Sequence, residues 1–420
     1  MRMVIRAGRL ITAVEGEDTR HNQGVLIEEG RIKLLGDWAD FMPDETVQVV
    51  DASRHTVLPG LIDAHTHVIH NGEPDEDWKR QTILELPATT ALKAAHNALR
   101  HLEMGVTTIR DLGAREWVDI ALRDAINSGW QIGPRMLVAG HGITATGGHM
   151  DPRRHVRPGI ALETLGGIGV VADSPDEARR AVWEQLMRGA DVIKLNATLS
   201  EYVRASGGQC SPELTFEAMC AICEVAHSAG RRVAAHCHGG PGVQAALNAG
   251  VDTFEHGRFL SDEQLDKMAE REVYLVPTLS PEARRVDAGD PPKNPADRRW
   301  YEMATAAMYA TVEKAHKRGV RTVAGSDAGM PHVHHGEIAY EMYHLAKAGL
   351  SNLATIVSAT RVAAQALGLG DRSGQVRAGY CADLIVVDGD PTQNLEILQR
   401  KESILLVIQN GRIAVERRQT

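Results

Sequence analysis

The central part of the chain, roughly residues 59–371, alternates short apolar runs with amphipathic stretches, and this alternation limits the possible folds most. Apolar runs of five to seven residues are typical of buried parallel strands, and stretches such as EARRAVWEQLMRG between them have helical periodicity. Eight runs can be counted: LIDAHTH near 61, GVTTIRDL near 105, RMLVAGH near 135, ADVIKLN near 190, RRVAAHC near 231, VDTFEHG near 251, EVYLVPT near 272 and RTVAGSD near 321. They predict an α/β fold, a (β/α)8 TIM-like barrel over 59–371. A doubly wound open sheet is the alternative, although no glycine-rich dinucleotide turn follows the first run.

The two ends of the chain have a different pattern, with β-type runs and no long helical stretch. Residues 1–58 contain VIRAGRLITAV and GVLIEEGRIKLLG, and the last segment contains ADLIVVDGD and ILLVIQNGRIAVERR with an Asn-Gly turn. Neither end is long enough to bury a good core alone. We therefore predict one β-sandwich domain from 1–58 and 372–420, beside a barrel domain over 59–371.

Charge, cysteine content and hydropathy narrow the class of protein. Lys and Arg number 46 against 55 Asp and Glu, so the net charge of −9 provides no basic field for nucleic acid or anionic lipid. The N-terminus lacks a signal-peptide apolar core, and no run approaches the about 20 apolar residues that span a bilayer. Five scattered cysteines do not form a secreted disulfide framework. We expect a cytoplasmic protein with no nucleic-acid or membrane partner.

Polar side chains recur at the carboxyl ends of the apolar runs, where barrel active sites are built. The chain has 19 histidines, and imidazole is the commonest nitrogen ligand of metals in proteins. The residues at the ends of the runs are His65 and His67 after the first run, Lys194 in the fourth, His236 and His238 in the fifth, His256 in the sixth and Asp327 in the eighth. Because all barrel strands end at one mouth, we expect these side chains to form one polar site.

His65 and His67 stand two residues apart on a predicted strand, so both rings leave the same face and can bind one ion. A solvent-facing or otherwise satisfied histidine pair is the plain alternative. Closure of the barrel brings Asp327 on the last strand beside them. A metal-bound water there would have its pKa lowered, and Asp327 could take its proton and pass it to a leaving group.

Lys194 lies within the apolar run ADVIKLN, where a lysine must extend to solvent or lose its charge. A neutral amine could form a Schiff base. Alternatively, carbon dioxide could convert it to a carbamate whose two oxygens bridge two cations. A salt-bridged lysine at a strand end is the structural alternative.

In this order along the chain, these residues resemble the ligands of the amidohydrolase superfamily of binuclear metal hydrolases. The resemblance covers the whole chain, from VLPGLIDAHTH to GQVRAGYCADLIVVDGDPTQN. It implies two divalent ions, which we expect to be Zn²⁺, although cobalt or manganese would also suit such ligands. The implied ligands are His65, His67 and Asp327 for one ion, His236 and His256 for the other, and N6-carboxylated Lys194 as the bridge between them.

Within the superfamily, the chain resembles the Xaa-Pro (prolidase) and Xaa-Arg dipeptidases or carboxypeptidases and the ochratoxin-degrading amidases. The motifs concerned are GHGITATGGHM, ASGGQCSPELTFEA, VAAHCHGGPGVQAALNAGVDTFEHG and GSDAGMPHVHHGE. The resemblance implies that a metal-bridged hydroxide hydrolyses an amide (peptide) bond next to a free carboxylate, as in C-terminal dipeptides and N-acyl amino acids. It assigns His141 to the scissile carbonyl, and Tyr202, Arg204 and His238 to the substrate carboxylate. Many relatives assemble, so we also expect a homo-oligomer.

The same residues are compatible with other functions. A hydrolase of another amide, a urea, a carbamate or a cyclic amide, including ochratoxin-type substrates, would use the same ligands. Deaminases of the superfamily usually carry HxxE at the fifth strand, whereas the chain reads HCHG there, which disfavours deamination. A non-catalytic metabolite-binding barrel is the rival outside the enzymes, and the complete ligand set argues against it.

Several remaining residues keep a structural interpretation. Cys220 and Cys223 form a CxxC within a predicted amphipathic helix, where burial is expected rather than zinc or redox chemistry. Cys237 should point away from the histidines on either side of it. The proline-rich segment 287–299 is predicted to be a long loop after the seventh strand, either a lid or simply solvated. Four more histidines are expected on loops near the mouth, with or without substrate contact: His149, His332, His334 and His335.

Overall fold

The computed structural model describes residues 2–157, 167–199, 210–289 and 295–417. Over these ranges the chain forms a (β/α)8 barrel and a smaller β domain, which confirms the predicted fold class. None of the helices in the described ranges has both the length and the hydrophobicity needed to cross a membrane.

The secondary-structure elements follow the predicted alternation. The strands are β1 (Arg2–Leu10), β2 (Arg20–Glu28), β3 (Arg31–Asp37), β4 (Gln48–Pro59), β5 (Leu61–Thr66), β6 (Val106–Asp111), β7 (Arg135–Val138), β8 (Gly142–Thr144), β9 (Gly169–Val171), β10 (Val192–Asn196), β11 (Arg232–Gly239), β12 (Thr253–Phe259), β13 (Tyr274–Val276), β14 (Arg321–Thr322), β15 (Leu384–Val387), β16 (Ile404–Gln409) and β17 (Arg412–Glu416). The α-helices span Trp78–Leu84, Pro87–Glu103, Val118–Asn127, Pro175–Arg188, Phe216–Ser228, Gly240–Ala249, Asp262–Glu270, Ser280–Asp287, Pro295–Lys317, Ile338–Lys347, Asn352–Ser358 and Arg361–Ala366. Short 3-10 helices span Trp38–Asp40, Arg115–Trp117, Pro152–His155, Leu395–Gln399 and Lys401–Ser403.

Both chain ends contribute to one seven-stranded sheet, in the order β17-β16-β15-β4-β1-β2-β3. Strands β1 and β4 are parallel, and the other neighbours are antiparallel. One face of this sheet buries a core that includes Ile5 and Leu384. Leu58 and Ile385 belong instead to the core shared with the barrel helix Pro87–Glu103. The sheet therefore packs on the barrel, while the domain boundaries at 58/59 and 371/372 stay a prediction.

The eight predicted runs form a closed barrel. Strands β5, β6 and β7 pair in one parallel sheet, and β10 to β14 pair in another. The Asp191 amide donates to the Val138 carbonyl at 2.8 Å and joins the third strand to the fourth. The last strand joins the first because the Asp327 amide donates to the His65 carbonyl at 2.8 Å.

The third barrel strand is interrupted, which the sequence pattern did not indicate. The ladder leaves β7 at Val138 and resumes at β8, which pairs with β10. Gly140 lies in the break with a φ of 67°, a conformation that favours glycine. His141 therefore lies in a bend and not at the end of a continuous strand.

The predicted long loop over 287–299 is wrong in part. Helix Ser280–Asp287 reaches its first residue, and helix Pro295–Lys317 begins inside it. Proline suits the first position of a helix because its fixed φ is helical and no backbone donor is lost there. Residues 290–294 lie outside the described ranges.

A buried carboxylate helps to hold the barrel closed. Asp63 on β5 accepts hydrogen bonds from the Ser326 amide at 2.9 Å and from the Ser326 hydroxyl at 2.5 Å. It also accepts one from the His65 amide at 3.3 Å. These bonds tie the first strand to the segment that precedes Asp327, so they fix two of the predicted ligands relative to each other.

We expect Asp63→Ala to lower the free energy of unfolding by about 3 kcal/mol, because buried donors of Ser326 and His65 lose their acceptor. Thermal unfolding at constant metal concentration measures the change. Asp266→Ala is the matched control, since Asp266 is 67% exposed in its pair with Arg318 and such pairs contribute about 1 kcal/mol or less. Equal melting temperatures for the two variants would contradict the role of Asp63.

Candidate metal centre and substrate cavity

A cavity of about 610 Å³ lies at the carboxyl ends of the barrel strands. All six predicted metal ligands line it: His65, His67, Lys194, His236, His256 and Asp327. Three further histidines, His70, His149 and His238, line the same cavity. The structure therefore brings together residues that are separated by up to 262 positions (327 − 65) in the chain.

The Asp327 carboxylate lies at the centre of this histidine cluster. Its Oδ1 is 3.5 Å from Nε2 of His65 and 3.5 Å from Nε2 of His67. Metal–ligand bonds of about 2.1 Å in a tetrahedral site place ligand atoms about 3.4 Å apart. The spacing therefore fits a shared cation.

Two further observations agree with a cation at this point. Ligand atoms of His65, His256 and Asp327 all lie within 4.8 Å of one another. Oδ1 of Asp327 is buried and has no hydrogen-bond partner among the described residues. An unpartnered buried carboxylate oxygen is costly, and a bound cation would satisfy it.

The outer nitrogens of the histidine rings are held by acceptors. Nδ1 of His65 lies 2.8 Å from a Glu255 carboxylate oxygen, and Nδ1 of His67 lies 3.2 Å from the Gly113 carbonyl. Because both partners accept, each Nδ1 carries the proton and each Nε2 directs its lone pair toward Asp327. Metal-binding histidines are commonly oriented in this way.

Unusual backbone conformations position two of the predicted ligands. His256 and Asp327 have φ values of 71° and 58°, which non-glycine residues rarely adopt. An extended strand would send the consecutive side chains of Glu255 and His256 to opposite faces. The left-handed conformation at His256 breaks this alternation, so Glu255 reaches His65 while His256 lines the cavity.

Glu255 is a functional candidate that the sequence reasoning missed. It is fully buried and pairs with Arg110, with 2.8 Å between Oε1 and Nη2. Burial alone would raise the pKa of Glu255, but Arg110 and His65 outweigh it and lower the pKa to about 2. Glu255 therefore stays charged beneath His65. The available sequence signal for this buried ion pair was Arg110, a charged residue inside the apolar run GVTTIRDL.

Lys194 is buried on β10 and faces the same cavity. Burial lowers the pKa of Lys194 to about 8, which increases the neutral amine fraction near neutral pH. No ion pair of Lys194 is found within the part of the chain that the structure describes. The salt-bridged alternative is therefore disfavoured.

Four cavity histidines, His149, His236, His238 and His256, lie ring against ring. The ring of His236 lies 4.6 Å from that of His256 and 4.8 Å from that of His238. His149 stacks on His236 at 4.2 Å with an interplanar angle of 13°. Burial lowers the pKa of His236, His238 and His256 well below the ordinary value, so all three are neutral and able to bind a cation.

Three predicted substrate contacts are not tested by the described part of the structure or lie away from the described cavity lining. His141 stacks on Trp117 at 4.2 Å and is absent from the described residues that line the cavity. Burial and the charge of Arg188 lower the pKa of His141 to about 4. Tyr202 and Arg204 lie outside the described residues. The roles of all three stay predictions.

The other histidines and cysteines have mainly structural surroundings. His335 is buried, with Nδ1 3.0 Å from Nε2 of His101, and His334 lies 3.5 Å from Glu73. Neither these two nor His332 appears among the described lining residues. Cys220 and Cys223 lie on helix Phe216–Ser228 and form no disulfide. Cys237 packs in the core between the barrel strands and the surrounding helices, as expected.

The sequence reasoning also missed a charged wall of the cavity. Arg258, Glu282 and Arg285 line it, and so do Trp78 and His70, whose rings are 4.7 Å apart. The sequence signal for Arg258 was its position two residues after His256 in EHGR.

The chain is similar to known hydrolases in both sequence and fold. The amidohydrolase family model matches residues 56–414. Ochratoxinase from Aspergillus niger is 29% identical over 435 residues, which cover 98% of this chain and 86% of that protein. A crystal structure of a Xaa-Pro dipeptidase with bound methionine is 31% identical, covers 98% of this chain and 99% of its own, and has a TM-score of 0.86. A prolidase complexed with N-methylphosphonate-L-proline is 26% identical over 100% of both chains, with a TM-score of 0.86.

We expect Arg110→Met and Glu255→Met each to lower the free energy of unfolding by about 3–5 kcal/mol, because each leaves one buried charge unpaired. The double variant should lose less than either single variant, since no unpaired charge remains. Thermal unfolding of the metal-free proteins tests this order. Glu313→Met, in an exposed pair with Lys317, is the control. A double variant as unstable as the sum of the single variants would contradict the coupling.

Proposed function

The chain belongs to the amidohydrolase family, and we propose that it hydrolyses an amide bond next to a free carboxylate with the help of two divalent cations. His65, His67 and Asp327 would hold one cation and His236 and His256 the other. The observation that carries the proposal is the convergence of histidine nitrogens on the buried, unpartnered Oδ1 of Asp327. When bound, the cations, expected to be Zn²⁺, would supply Lewis acidity and lower the pKa of a water.

Lys194 would join the two sites as a carbamate. Its neutral nitrogen would attack the carbon of carbon dioxide and release a proton, which yields an anion with two ligand oxygens. The lowered pKa of Lys194 supports this step, because only the neutral amine reacts. Its burial within the cavity wall would keep the carbamate close to the histidines.

Asp327 would move the proton during hydrolysis. Burial raises the pKa of its carboxyl group, which makes the carboxylate a better base. Asp327 would accept a proton from the attacking water and deliver it to the departing amide nitrogen. The new bond joins the water oxygen to the carbonyl carbon, and the carbon–nitrogen bond breaks.

The neutral histidines and the relatives support the proposed substrate contacts. His238 lines the cavity, and as a neutral imidazole it would donate a hydrogen bond to the substrate carboxylate. Tyr202 and Arg204 are proposed to bind the same carboxylate. His141 would polarise the scissile carbonyl, a role that requires its ring to reach the cavity. A Xaa-Pro dipeptidase and prolidase among the relatives support an amide whose leaving amino acid carries a free carboxylate.

A substrate panel with metal analysis of the same preparation tests the proposed function. The panel contains Xaa-Pro, Xaa-Arg and hydrophobic C-terminal dipeptides, N-acyl amino acids, and also a phenylurea, a carbamate and a cyclic amide. We expect turnover of dipeptides or N-acyl amino acids, and two bound cations per chain. Turnover confined to the urea, carbamate or cyclic amide would instead identify the alternative hydrolase, and an inactive metal-loaded protein would overturn the proposal.

Asp327→Asn keeps the shape of the side chain but removes the base. We expect kcat to fall roughly 10³-fold while part of the bound metal remains, since general acid–base catalysis contributes about 10²–10⁴-fold. Initial rates and metal content per chain, measured on one preparation, check both statements. Asp371→Asn, at an exposed position, is the control. Full activity of Asp327→Asn would exclude the proton-transfer role.

Lys194→Met should leave a folded protein that binds fewer than two cations per chain, because methionine fills the buried position without supplying oxygen ligands. Metal content by mass spectrometry measures the loss, and electron density at Lys194 in the metal-loaded parent protein shows the carbamate directly. Lys347→Met is the control, since Lys347 is exposed. Two tightly bound cations in Lys194→Met would rule out the bridge.

A further inference from the structure

Arg258, Glu282 and Arg285 form a charged group in one wall of the cavity, defined here as the arginine wall. Nη2 of Arg258 lies 2.5 Å from one carboxylate oxygen of Glu282, and Nη1 of Arg285 lies 3.4 Å from the other. Arg258 belongs to β12, whereas Glu282 and Arg285 belong to helix Ser280–Asp287. The wall therefore joins a barrel strand to the helix that follows the seventh strand.

The environment of Arg258 differs from that of a surface ion pair. Its side chain is only 13% exposed and that of Glu282 only 10%. Buried ion pairs commonly stabilise a fold less than apolar residues of the same volume, because both charges lose hydration. Fold stability alone is therefore a poor explanation for such a pair in a cavity wall.

Glu282 does not saturate the guanidinium of Arg258. A guanidinium has five N–H donors, and the bond to Glu282 is the single side-chain hydrogen bond of Arg258 within the described residues. Nε of Arg258 is buried without a partner there. Besides Glu282, the described lining residues include one other carboxylate, Asp327, which belongs to the proposed metal site. Arg258 thus brings positive charge and unused donor capacity to the cavity wall.

The position of Arg258 relates this charge to the metal site. Arg258 follows His256 by two residues, so their Cα atoms are at most about 7 Å apart. Its side chain lines the same cavity as His238 and His256. A substrate whose amide lies at the metal site would therefore place a group on the neighbouring atoms within reach of the guanidinium.

We propose that Arg258, held by Glu282, binds the free carboxylate of the substrate and makes the cavity selective for amides of amino acids. This inference rests on the proposed function. Arginine suits the task because its planar fork matches a carboxylate, whereas a lysine would offer only a point charge. The assignment adds a residue to the carboxylate site that the sequence resemblance did not include.

The test compares Arg258→Met with the parent holoenzyme on matched substrates that differ only at the carboxylate. The pairs are alanyl-proline with alanyl-prolinamide, and N-acetylphenylalanine with its primary amide. We expect kcat/KM of the parent to favour the free acid, and Arg258→Met to lose roughly 10- to 100-fold on the acid while the amide changes by less than about threefold. The kcat/KM of Arg258→Lys on the free acid should lie between those of the parent and Arg258→Met. Equal losses on acid and amide, or no loss on the acid, would overturn the inference.

A binding measurement gives a readout that does not depend on turnover. Titration calorimetry of the holoenzyme with the released amino acid, L-proline or L-phenylalanine, should show at least tenfold weaker binding in Arg258→Met. Unchanged affinity would argue against the carboxylate contact.

Arg284→Met is the matched control, because Arg284 lies on the same helix, pairs with Glu337, and is not among the described lining residues. Melting temperatures of all variants show that they are folded. A parent holoenzyme that cleaves no amide of the panel contradicts the proposed function, whereas an active parent without the acid-specific loss contradicts only the role of Arg258.

Discussion

The buried carboxylate of Glu255 connects the interior of the barrel to the candidate metal centre. It accepts hydrogen bonds from Nδ1 of His65, Nη2 of Arg110 and the Thr253 hydroxyl, at 2.8, 2.8 and 2.6 Å. A carboxylate in such a place stays ionised only because the guanidinium compensates for its lost hydration. Its charge in turn fixes the tautomer of His65, so the Nε2 lone pair faces Asp327. The orientation of His65 thus depends on an ion pair whose members are not among the described residues that line the cavity.

Closure of the barrel provides the second constraint. His65 and Asp327 lie at opposite ends of the barrel sequence, and they meet because the last strand pairs with the first. Asp63 reinforces this junction through Ser326. The left-handed conformations at His256 and Asp327 then turn both side chains toward the cavity. Such backbone strain is tolerated where the surrounding hydrogen bonds hold it, and it is frequent at functional sites.

Within this amidohydrolase, the cavity divides into parts with different physical characters. The histidine cluster around Asp327 is neutral apart from the carboxylate, because burial lowers the pKa of its imidazoles. The arginine wall carries two positive charges against one negative charge, and its Arg258 follows His256 by two residues on β12. Metal ligands are shared by hydrolases of many amides, whereas the walls decide which substrate fits. The substrate preference of this chain should therefore be sought in Arg258 and its neighbours.

The eight apolar runs with polar ends predicted the barrel, and the residues and the family resemblance named six candidate ligands that the structure brings to one cavity. Hydrophobic periodicity and strand order are local properties, so they can be read from the chain itself.

Three features depend instead on contacts between distant segments. They are the break between β7 and β8, the alternation lost at His256, and the helix that replaces residues 295–299 of the predicted loop. The same is true of Arg110 with Glu255 and Arg258 with Glu282, which are 145 and 24 residues apart. The sequence by itself determined the fold class and which residues are candidates for metal binding. Only the tertiary structure decided which buried charges face each other, because desolvation and pairing depend on the packed environment and not on position along the chain.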